Sequence, residues 1–230
     1  MNIFITFAAQ SNAMRNITLT NEFLEYYRSL PERVQEKYDY VMQIIRSQPV
    51  VSEKFIKHLE NTIFYEARIS VGTNEYRTIL FTADSQSFME STVIIFLNSF
   101  LKKSSNQYKS EIKKAESILK PFIKDLVMSK IDMNKLSKLT NVDDVLNKKY
   151  GEEGSASRLE FEAKAKAWYY AELLKDERKR QKITQQELAD MIGKKREYIS
   201  ALEKGKTDMQ LSTFLQLSYA LGLRFSLVLG

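Results

Sequence analysis

The run TQQELADMIG, residues 184–193, decides the fold of the C-terminal part of the chain. Thr184 and Glu187 have the spacing of a capping box, in which each side chain bonds the other residue's backbone at the start of a helix. Three residues at helical spacing give this helix one apolar face: Leu188, Ala189 and Ile192. Gly193 then allows a tight turn, so the run predicts a helix that ends at this glycine.

A second helix is predicted directly after that turn. Ile199 and Leu202 would face inward, and Gly205 would end the helix as a C-cap. In two helices joined in this way, the N-terminal residues of the second helix meet base edges in the DNA major groove. The residues expected at base edges are Lys195, Arg196 and Glu197, and those expected at phosphates are Gln185, Lys194, Tyr198 and Lys206. The alternative is an ordinary helical hairpin with a solvated basic face.

Residues 150–230 resemble a HigA-type antitoxin of the XRE helix-turn-helix family. Besides the two helices, the resemblance rests on Gly154 to Phe161, a long helix through Arg180, and the run from Leu211 to Gly222. It implies binding to operator DNA, usually as a homodimer, and to a partner toxin. Residues 223–229 alternate like a strand, and an exposed terminal strand needs a partner. The simplest partner is the same strand of a second copy, which would place two recognition helices on one DNA face.

Composition limits what the rest of the chain can be. The 230 residues, 43% of them hydrophobic, suffice for one or two compact domains, and the chain has no Cys, which excludes disulfides and thiolate metal sites. The absence of Cys agrees with a cytoplasmic protein. A net charge of +6 favours a polyanionic partner. No run is long enough to span a bilayer and none has the form of a signal peptide, so no membrane contact is expected.

Residues 1–13 are interpreted as a tag or extension. Ser11-Asn12-Ala13 before Met14 has the form of a tag-cleavage scar, and Met14 would then be the natural start. A native strand within the apolar run Ile3 to Ala9 is the alternative.

Residues 14–125 are predicted to form an α+β domain in which an antiparallel sheet packs with helices. The predicted strands are residues 14–20, Thr62–Val71, Glu75–Ala83 and Thr92–Phe100, with a hairpin turn at Gly72. The predicted helices are one that Asn21 caps, one from Pro31 to Arg46, and one from about Ser105 to Phe122.

The rest of the chain is predicted to be helical, with a C-terminal strand. Residues 126–156 are interpreted as a linker that covers the first domain and holds one short helix, Val142–Tyr150. Residues 157–230 form the second domain, which begins with a long helix from about Ser157 to Gln181. The buried stripe of that helix is expected at Leu159, Ala163, Ala167, Tyr170 and Leu174.

The first domain carries a series of short motifs that resembles HigB-type toxins of the RelE superfamily, in the phage-derived Gp49-like group. The motifs are Lys57-His58-Leu59, Tyr65-Glu66-Ala67-Arg68, Tyr76-Arg77, Phe100-Leu101-Lys102-Lys103 and Glu111-Ile112-Lys113-Lys114-Ala115. The resemblance covers roughly residues 14–123 and depends on their order and spacing. It implies a ribosome-dependent endoribonuclease that cuts messenger RNA without a metal or other cofactor.

The residue types suit that chemistry. RNA cleavage uses the 2′-hydroxyl as nucleophile, so the protein must stabilise a charged phosphorane and move two protons, and guanidinium groups suit the first task. The resemblance assigns this role to Arg68 and Arg77. Glu66 and Arg68 should share a face because side chains alternate along a strand, whereas Arg77 could lie on either face, depending on register. Lys57, Lys102 and Lys103 are candidates for contacts to the substrate backbone.

Plainer interpretations stay open for several of these residues. Glu66 and Arg68 could form a surface ion pair of little energetic value, and Lys102-Lys103 could be a solvated strand end. His58, the only histidine, is interpreted as structural or solvated rather than as an acid or base. Asn98 stands where this toxin family often has a His, which weakens the case for strong acid–base catalysis.

The combination of the two domains predicts a toxin and its antitoxin in one chain, by natural fusion, read-through or concatenation. The linker and long helix would cover the basic face of the toxin, and the antitoxin would repress its own promoter. Effective concentration favours this contact within one chain, although contact between chains is also open. The alternative function is a transcriptional regulator whose toxin-like domain is catalytically silent. Operator sequence, cleavage preference and oligomer size are left open.

Overall fold

The computed structural model describes residues 4–8, 15–104, 106–125 and 130–228. The chain divides into two compact units, and the division falls between Glu162 and Ala163. The first unit comprises residues 13–162, and the second comprises residues 163–230 with the N-terminal residues 1–12. Within the described ranges, no helix is both long and apolar enough to cross a membrane.

The elements confirm the predicted order of strands and helices. The strands are β1 (Phe4–Ala8), β2 (Asn16–Leu19), β3 (Ile56–His58), β4 (Phe64–Val71), β5 (Asn74–Thr82), β6 (Val93–Leu101), β7 (Ile123–Asp125), β8 (Lys130–Ile131), β9 (Thr140–Asn141) and β10 (Arg224–Val228). The helices are α1 (Asn21–Ser29), α2 (Glu32–Ser47), α3 (Gln107–Leu119), α4 (Met133–Leu136), α5 (Val142–Tyr150), α6 (Ala156–Arg180), α7 (Gln185–Met191), α8 (Arg196–Glu203) and α9 (Leu211–Ala220). The sequence did not predict the short elements β3, β7, β8, β9 and α4, because two to four residues carry too little periodicity.

A mixed sheet of six described strands forms the centre of the first unit, in the order β3-β4-β5-β6-β2-β9. β2 runs parallel to β6, and the other neighbouring strands are antiparallel. Gly72 has a φ of +64° in the hairpin between β4 and β5, a conformation that glycine adopts without strain. This tight hairpin sets the register, in which Arg68 lies directly opposite Arg77.

Helices cover both faces of this sheet. α1 lies over β6 and α2 over β4, and the Phe23 ring meets Phe96 edge-on with 5.2 Å between centroids. α3 packs on the other face, where Leu119 joins a buried cluster with Ile79 and Leu97. Because side chains alternate along a strand, Arg77 points to the same face as Ile79. The α3 face therefore combines an apolar core with polar side chains.

Residues 130–162 fold onto the first unit instead of forming an open linker. β9 pairs with β2 and adds the last described strand to the sheet. α5 has the predicted bounds and begins with a capping box between Asn141 and Asp144. Val142 and Leu146 of α5 are buried. Burial of these side chains is what holds the segment in place.

Buried charges attach this segment to α2. Asp39 of α2 is fully buried and accepts hydrogen bonds from Lys149 Nζ and Tyr150 Oη, both at 2.7 Å. Arg158, at the start of α6, is also fully buried and donates to Asn147, Glu162 and Gln43. A buried charge that loses its partner is destabilising, so these bonds hold the segment on α2.

The second unit contains the predicted helix-turn-helix. Thr184 Oγ1 accepts a hydrogen bond from the Glu187 backbone N–H, and the Glu187 carboxylate accepts one from the Thr184 N–H, which completes the capping box. Gly193 has a φ of +65° in the turn before α8. The predicted inward residues that are buried are Leu188, Ala189, Ile199 and Leu202. The sequence prediction for this motif is confirmed.

The predicted buried stripe of α6 is wrong at its first two positions. Leu159 is 56% exposed and Ala163 is also exposed. Ala167 is half-buried, and the apolar side chains that are buried are Phe161, Ala165, Tyr169, Tyr170 and Leu174. In this alanine-rich helix the predicted stripe and the aromatic stripe have similar hydrophobicity. The aromatic stripe is the buried one, because burial of large rings removes more apolar surface from water than burial of alanine does.

The predicted C-terminal strand is present as β10, and its partner lies in the same chain. β1 pairs with β10 in parallel, from Phe4 opposite Arg224 to Ala8 opposite Val228. The strand was expected to pair with a second copy, but on this edge the N-terminal extension supplies the backbone partner. The alternative of a strand within Ile3 to Ala9 therefore fits the structure.

Candidate functional sites

Three predicted site residues meet on the α3 face of the sheet. Arg68 in β4 and Arg77 in β5 are directly opposite each other, so their side chains share one face of the sheet. The sequence had left the face of Arg77 open. Glu66 is 2% exposed, and its Oε1 accepts a hydrogen bond from Arg68 Nε at 2.6 Å. Its Oε2 lies 3.7 Å from Arg77 Nε. The pair of Glu66 and Arg68 is therefore partly buried and is not a surface ion pair.

Arg77 keeps an unused donor inside this cluster. Its side chain is 7% exposed, and Nη1 donates to the Tyr76 carbonyl at 2.9 Å. Nε makes no hydrogen bond within the described part of the chain. A buried N–H without an acceptor is rare and costs free energy, and the charge of Glu66 Oε2, 3.7 Å away, offsets part of that cost.

A tyrosine from α3, which the sequence did not predict, completes the cluster. Tyr108 Oη donates a hydrogen bond to Glu66 Oε2 at 2.7 Å, and the ring meets Phe100 edge-on at 5.5 Å. Burial, together with the bond to Glu66, raises the pKa of Tyr108 to about 12, so the hydroxyl is a donor at neutral pH. Its position four residues before Ile112, on the inward stripe of α3, was the available sequence signal.

A second carboxylate joins Arg77 to Lys102 at the rim of the cluster. Glu75 Oε2 accepts hydrogen bonds from Arg77 Nη2 at 2.9 Å and from Lys102 Nζ at 3.1 Å. The bond from Lys102 and the charge of Arg77 hold the pKa of Glu75 below its usual range. Glu75 was not predicted from the sequence, although its position two residues before Arg77 places it on the same face.

The remaining predicted residues of the first domain lie around this cluster. Lys57 is exposed and directly opposite Glu66, so it shares the face of the two arginines. Lys103 lies beyond β6 and is exposed, and its backbone N–H donates to the Gln107 side chain. His58 follows Lys57 in β3 and therefore points to the opposite face, where its ring meets Tyr65 at 4.9 Å.

Asn98 is tied to α3 and not to the arginines. Its side chain is fully buried, and Nδ2 donates to Glu111 Oε2 at 2.8 Å. It lies next to an irregularity in the pairing of β5 with β6, where the register shifts between Ile79 and Leu80. An amide cannot act as a general acid or base at neutral pH, so this position supplies no proton transfer.

The second candidate site is the start of α8. Lys195 is the N-cap, and Arg196 and Glu197 form the first turn, with all three side chains exposed. Lys194 Nζ lies 5.9 Å from the centroid of the Tyr198 ring. These exposed residues lie at the helix end that enters the major groove in helix-turn-helix proteins.

Gln185, predicted to meet a phosphate, is engaged within the domain. Its Nε2 donates to Glu203 Oε2 at 2.7 Å. The same carboxylate accepts two hydrogen bonds from Arg178, at 2.6 and 3.0 Å. Glu203 thereby links α6, α7 and α8 and sets the angle at which α8 is presented. These partners lie too far apart in sequence for spacing to have predicted the link.

Two parts of the chain match protein-family models. Residues 25–120 match the family model described as phage derived protein Gp49-like (DUF891), and residues 174–228 match a helix-turn-helix family model. The chain is therefore similar to a toxin of the Gp49-like group joined to a helix-turn-helix antitoxin, a combination that supports DNA binding. No curated protein and no solved structure matched the chain.

Proposed function

We propose that residues 14–125 are a ribosome-dependent endoribonuclease of messenger RNA and that the helix-turn-helix domain represses transcription from its own promoter. The observation that carries the first half is the direct pairing of Arg68 with Arg77 on one face, beside Glu66. The match of the two domains to a toxin-like and a helix-turn-helix family supports the second half.

The proposed reaction uses the chemistry of the RNA itself. The 2′-oxygen attacks the phosphorus, the bond to the 5′-oxygen breaks, and a 2′,3′-cyclic phosphate forms. Arg68 and Arg77 would stabilise the negative charge that builds on the phosphorane oxygens, because guanidinium N–H groups form charge-assisted hydrogen bonds. Glu66, which lies beside both arginines, would accept the proton of the 2′-hydroxyl, and a water molecule would give a proton to the leaving 5′-oxygen. Since Asn98 cannot transfer protons, electrostatic stabilisation would supply most of the rate.

Inhibition in the intact chain would act away from the arginine cluster. α5 and the start of α6 contact α2 through Asp39 and Gln43, and β9 contacts β2. Ile131, Leu136 and Leu139 of the same segment pack against the apolar cluster of the α3 face. The contacts described for the segment do not reach Arg68 or Arg77 in β4 and β5, so the expectation that it covers the basic face is not supported by these contacts. We therefore place the inhibitory contact at α2 and β2, where added mass would obstruct docking on the ribosome.

A transcriptional regulator with a silent toxin-like domain is the second candidate. Two observations favour it: the amide of Asn98 is buried against α3, and the carboxylates of Glu66 and Glu75 already pair with both arginines. In this case the first domain would serve only as an interaction module, and DNA binding would be the activity of the chain.

Cleavage mapping separates the two candidates. Residues 14–125, Arg77→Gln and Arg28→Gln are each added to ribosomes translating a defined message, and primer extension locates new 5′ ends. Arg77→Gln should lower the cleavage rate by about 100-fold, the cost of removing one preorganised donor. Arg28 is an exposed arginine of α1 and serves as the matched control, which should cleave like the parent. Equal cleavage by the Arg77→Gln variant would remove the arginine cluster from the mechanism.

A further inference from the structure

Glu75 bridges two cationic side chains at the rim of the arginine cluster. Its Oε2 accepts one hydrogen bond from Arg77 and one from Lys102, at 2.9 and 3.1 Å. A phosphate oxygen between an arginine and a lysine makes the same two charge-assisted bonds. The outward-facing donors of this cluster are thus occupied by a carboxylate of the protein.

The two carboxylates of the cluster differ in how firmly they are held. Glu66 is 2% exposed and bonds Arg68 and Tyr108, so it is fixed within the sheet. Glu75 is 48% exposed and follows the hairpin at Gly72, so its side chain can turn towards water. Ion pairs with an exposed partner contribute little free energy and can be exchanged at small cost.

We infer that Glu75 occupies the phosphate-binding position of the free protein and is displaced by a backbone phosphate when RNA binds. This inference rests on the proposed function of the arginine cluster. The competition is present at neutral pH, because Lys102 and Arg77 lower the pKa of Glu75 and keep it ionised.

This arrangement selects for an extended ligand. A free phosphate ion that displaces Glu75 forms the same two contacts that Glu75 gives up. Its net gain in binding free energy is therefore small. An RNA strand also reaches Arg68, which is 32% exposed, and Lys57 on the neighbouring strand. The additional contacts offset the displacement of Glu75, so the cluster favours a polynucleotide over a single anion.

The competing interpretation is that Glu75 merely orients Arg77. The two interpretations predict opposite signs for Glu75→Gln. Removal of a competing anion strengthens RNA binding, whereas loss of an orienting partner weakens it. The amide of Gln is close in size to the carboxylate, so this substitution changes charge with little change in packing.

The experiment measures binding of a fluorescein-labelled 2′-O-methyl RNA to the intact chain by fluorescence anisotropy. The 2′-O-methyl group removes the nucleophile, so no cleavage interferes. All proteins carry Lys195→Ala and Arg196→Ala, which suppress binding through α8. Glu75→Gln is compared with Arg77→Gln, with the double variant, and with Glu116→Gln, an exposed glutamate on α3 that serves as the charge-matched control.

Glu75→Gln should bind the RNA about three- to tenfold more tightly, as expected for the loss of two exposed ion pairs. The slope of log affinity against log salt should steepen by roughly 0.7, since one more phosphate contact releases counterions. Glu116→Gln should bind like its parent, and adding Arg77→Gln should abolish the gain.

Other outcomes separate the two claims. If Arg77→Gln weakens binding but Glu75→Gln leaves it equal or weaker, the RNA site stands and the displacement of Glu75 is wrong. A gain that persists in the double variant is a general charge effect and also overturns the inference. If Arg77→Gln leaves binding unchanged, RNA does not bind at this cluster, and the proposed function fails together with the inference.

Discussion

At the scale of single residues, alternation of side chains along a strand predicted part of the arginine cluster and left part of it open. The two-residue period placed Glu66 and Arg68 on one face, and the structure has them there. The face of Arg77 depended on the register between two strands, which the hairpin at Gly72 sets and which local spacing does not contain. Tyr108 reaches the cluster from α3, which follows β6; its helical spacing places it on the inward stripe, but only the tertiary fold shows that it bonds Glu66.

The first prediction concerns Glu66. Glu66→Ala should lower the free energy of unfolding by about 3 kcal/mol, because Arg77 would remain buried without this partner. Urea denaturation of the intact chain measures the change. Glu116→Ala, at an exposed position of α3, is the control and should stay within about 0.5 kcal/mol of the parent. A loss from Glu66→Ala as small as that of the control would show that Glu75 alone compensates the charge of Arg77.

At the scale of elements, long periodic segments were predictable and short ones were not. The strands β4, β5 and β6 and the helices α2, α6, α7 and α8 follow their predicted positions closely. The burial stripe of α6 was misjudged, because helical period alone cannot rank Leu159 against Phe161. The sequence predicted that residues 126–156 cover the first domain but did not predict where they bind. That position depends on Asp39 and Gln43, which lie more than a hundred residues away in sequence from their partners.

The second prediction concerns α8. Lys195→Ala together with Arg196→Ala should weaken binding to DNA from upstream of the coding sequence at least tenfold, because each base-edge contact contributes about 1–3 kcal/mol. Gel-shift titration at several salt concentrations measures both affinity and the salt slope. Lys179→Ala, at an exposed position of α6, is the matched control and should bind like the parent. Unchanged binding by the double variant would place DNA contact elsewhere on the domain.

At the scale of the whole molecule, composition and motif order predicted a two-domain chain with a nucleic-acid partner. A net charge of +6 favoured a polyanionic partner, and the absence of Cys excluded disulfides and thiolate metal sites. Two family resemblances supplied the order of the domains. What the sequence could not supply is the division of the chain inside α6, between Glu162 and Ala163. A continuous helix carries no composition change at that point, and only the contacts of Arg158 and its neighbours show where the first unit ends.

The contacts of residues 130–162 give the account its central claim. We propose that the first domain is an RNA-cleaving toxin and that the segment that follows it, which binds α2 and β2, inhibits it. Removal of that segment should therefore release activity, and its return on a separate fragment should restore inhibition. Asp39 and Gln43 on α2 would recapture Lys149 and Arg158 of the added fragment.

The most direct test is protein synthesis in a cell-free translation system that receives residues 14–125, the intact chain, or residues 14–125 with residues 128–230 added. Circular dichroism first establishes that the shorter fragment is folded. Residues 14–125 are expected to stop translation, and Arg77→Gln is expected to abolish this effect. The intact chain and the fragment pair are expected to leave translation unaffected. Full translation in the presence of the folded fragment would contradict the account and identify the chain as a DNA-binding regulator with a silent toxin-like domain.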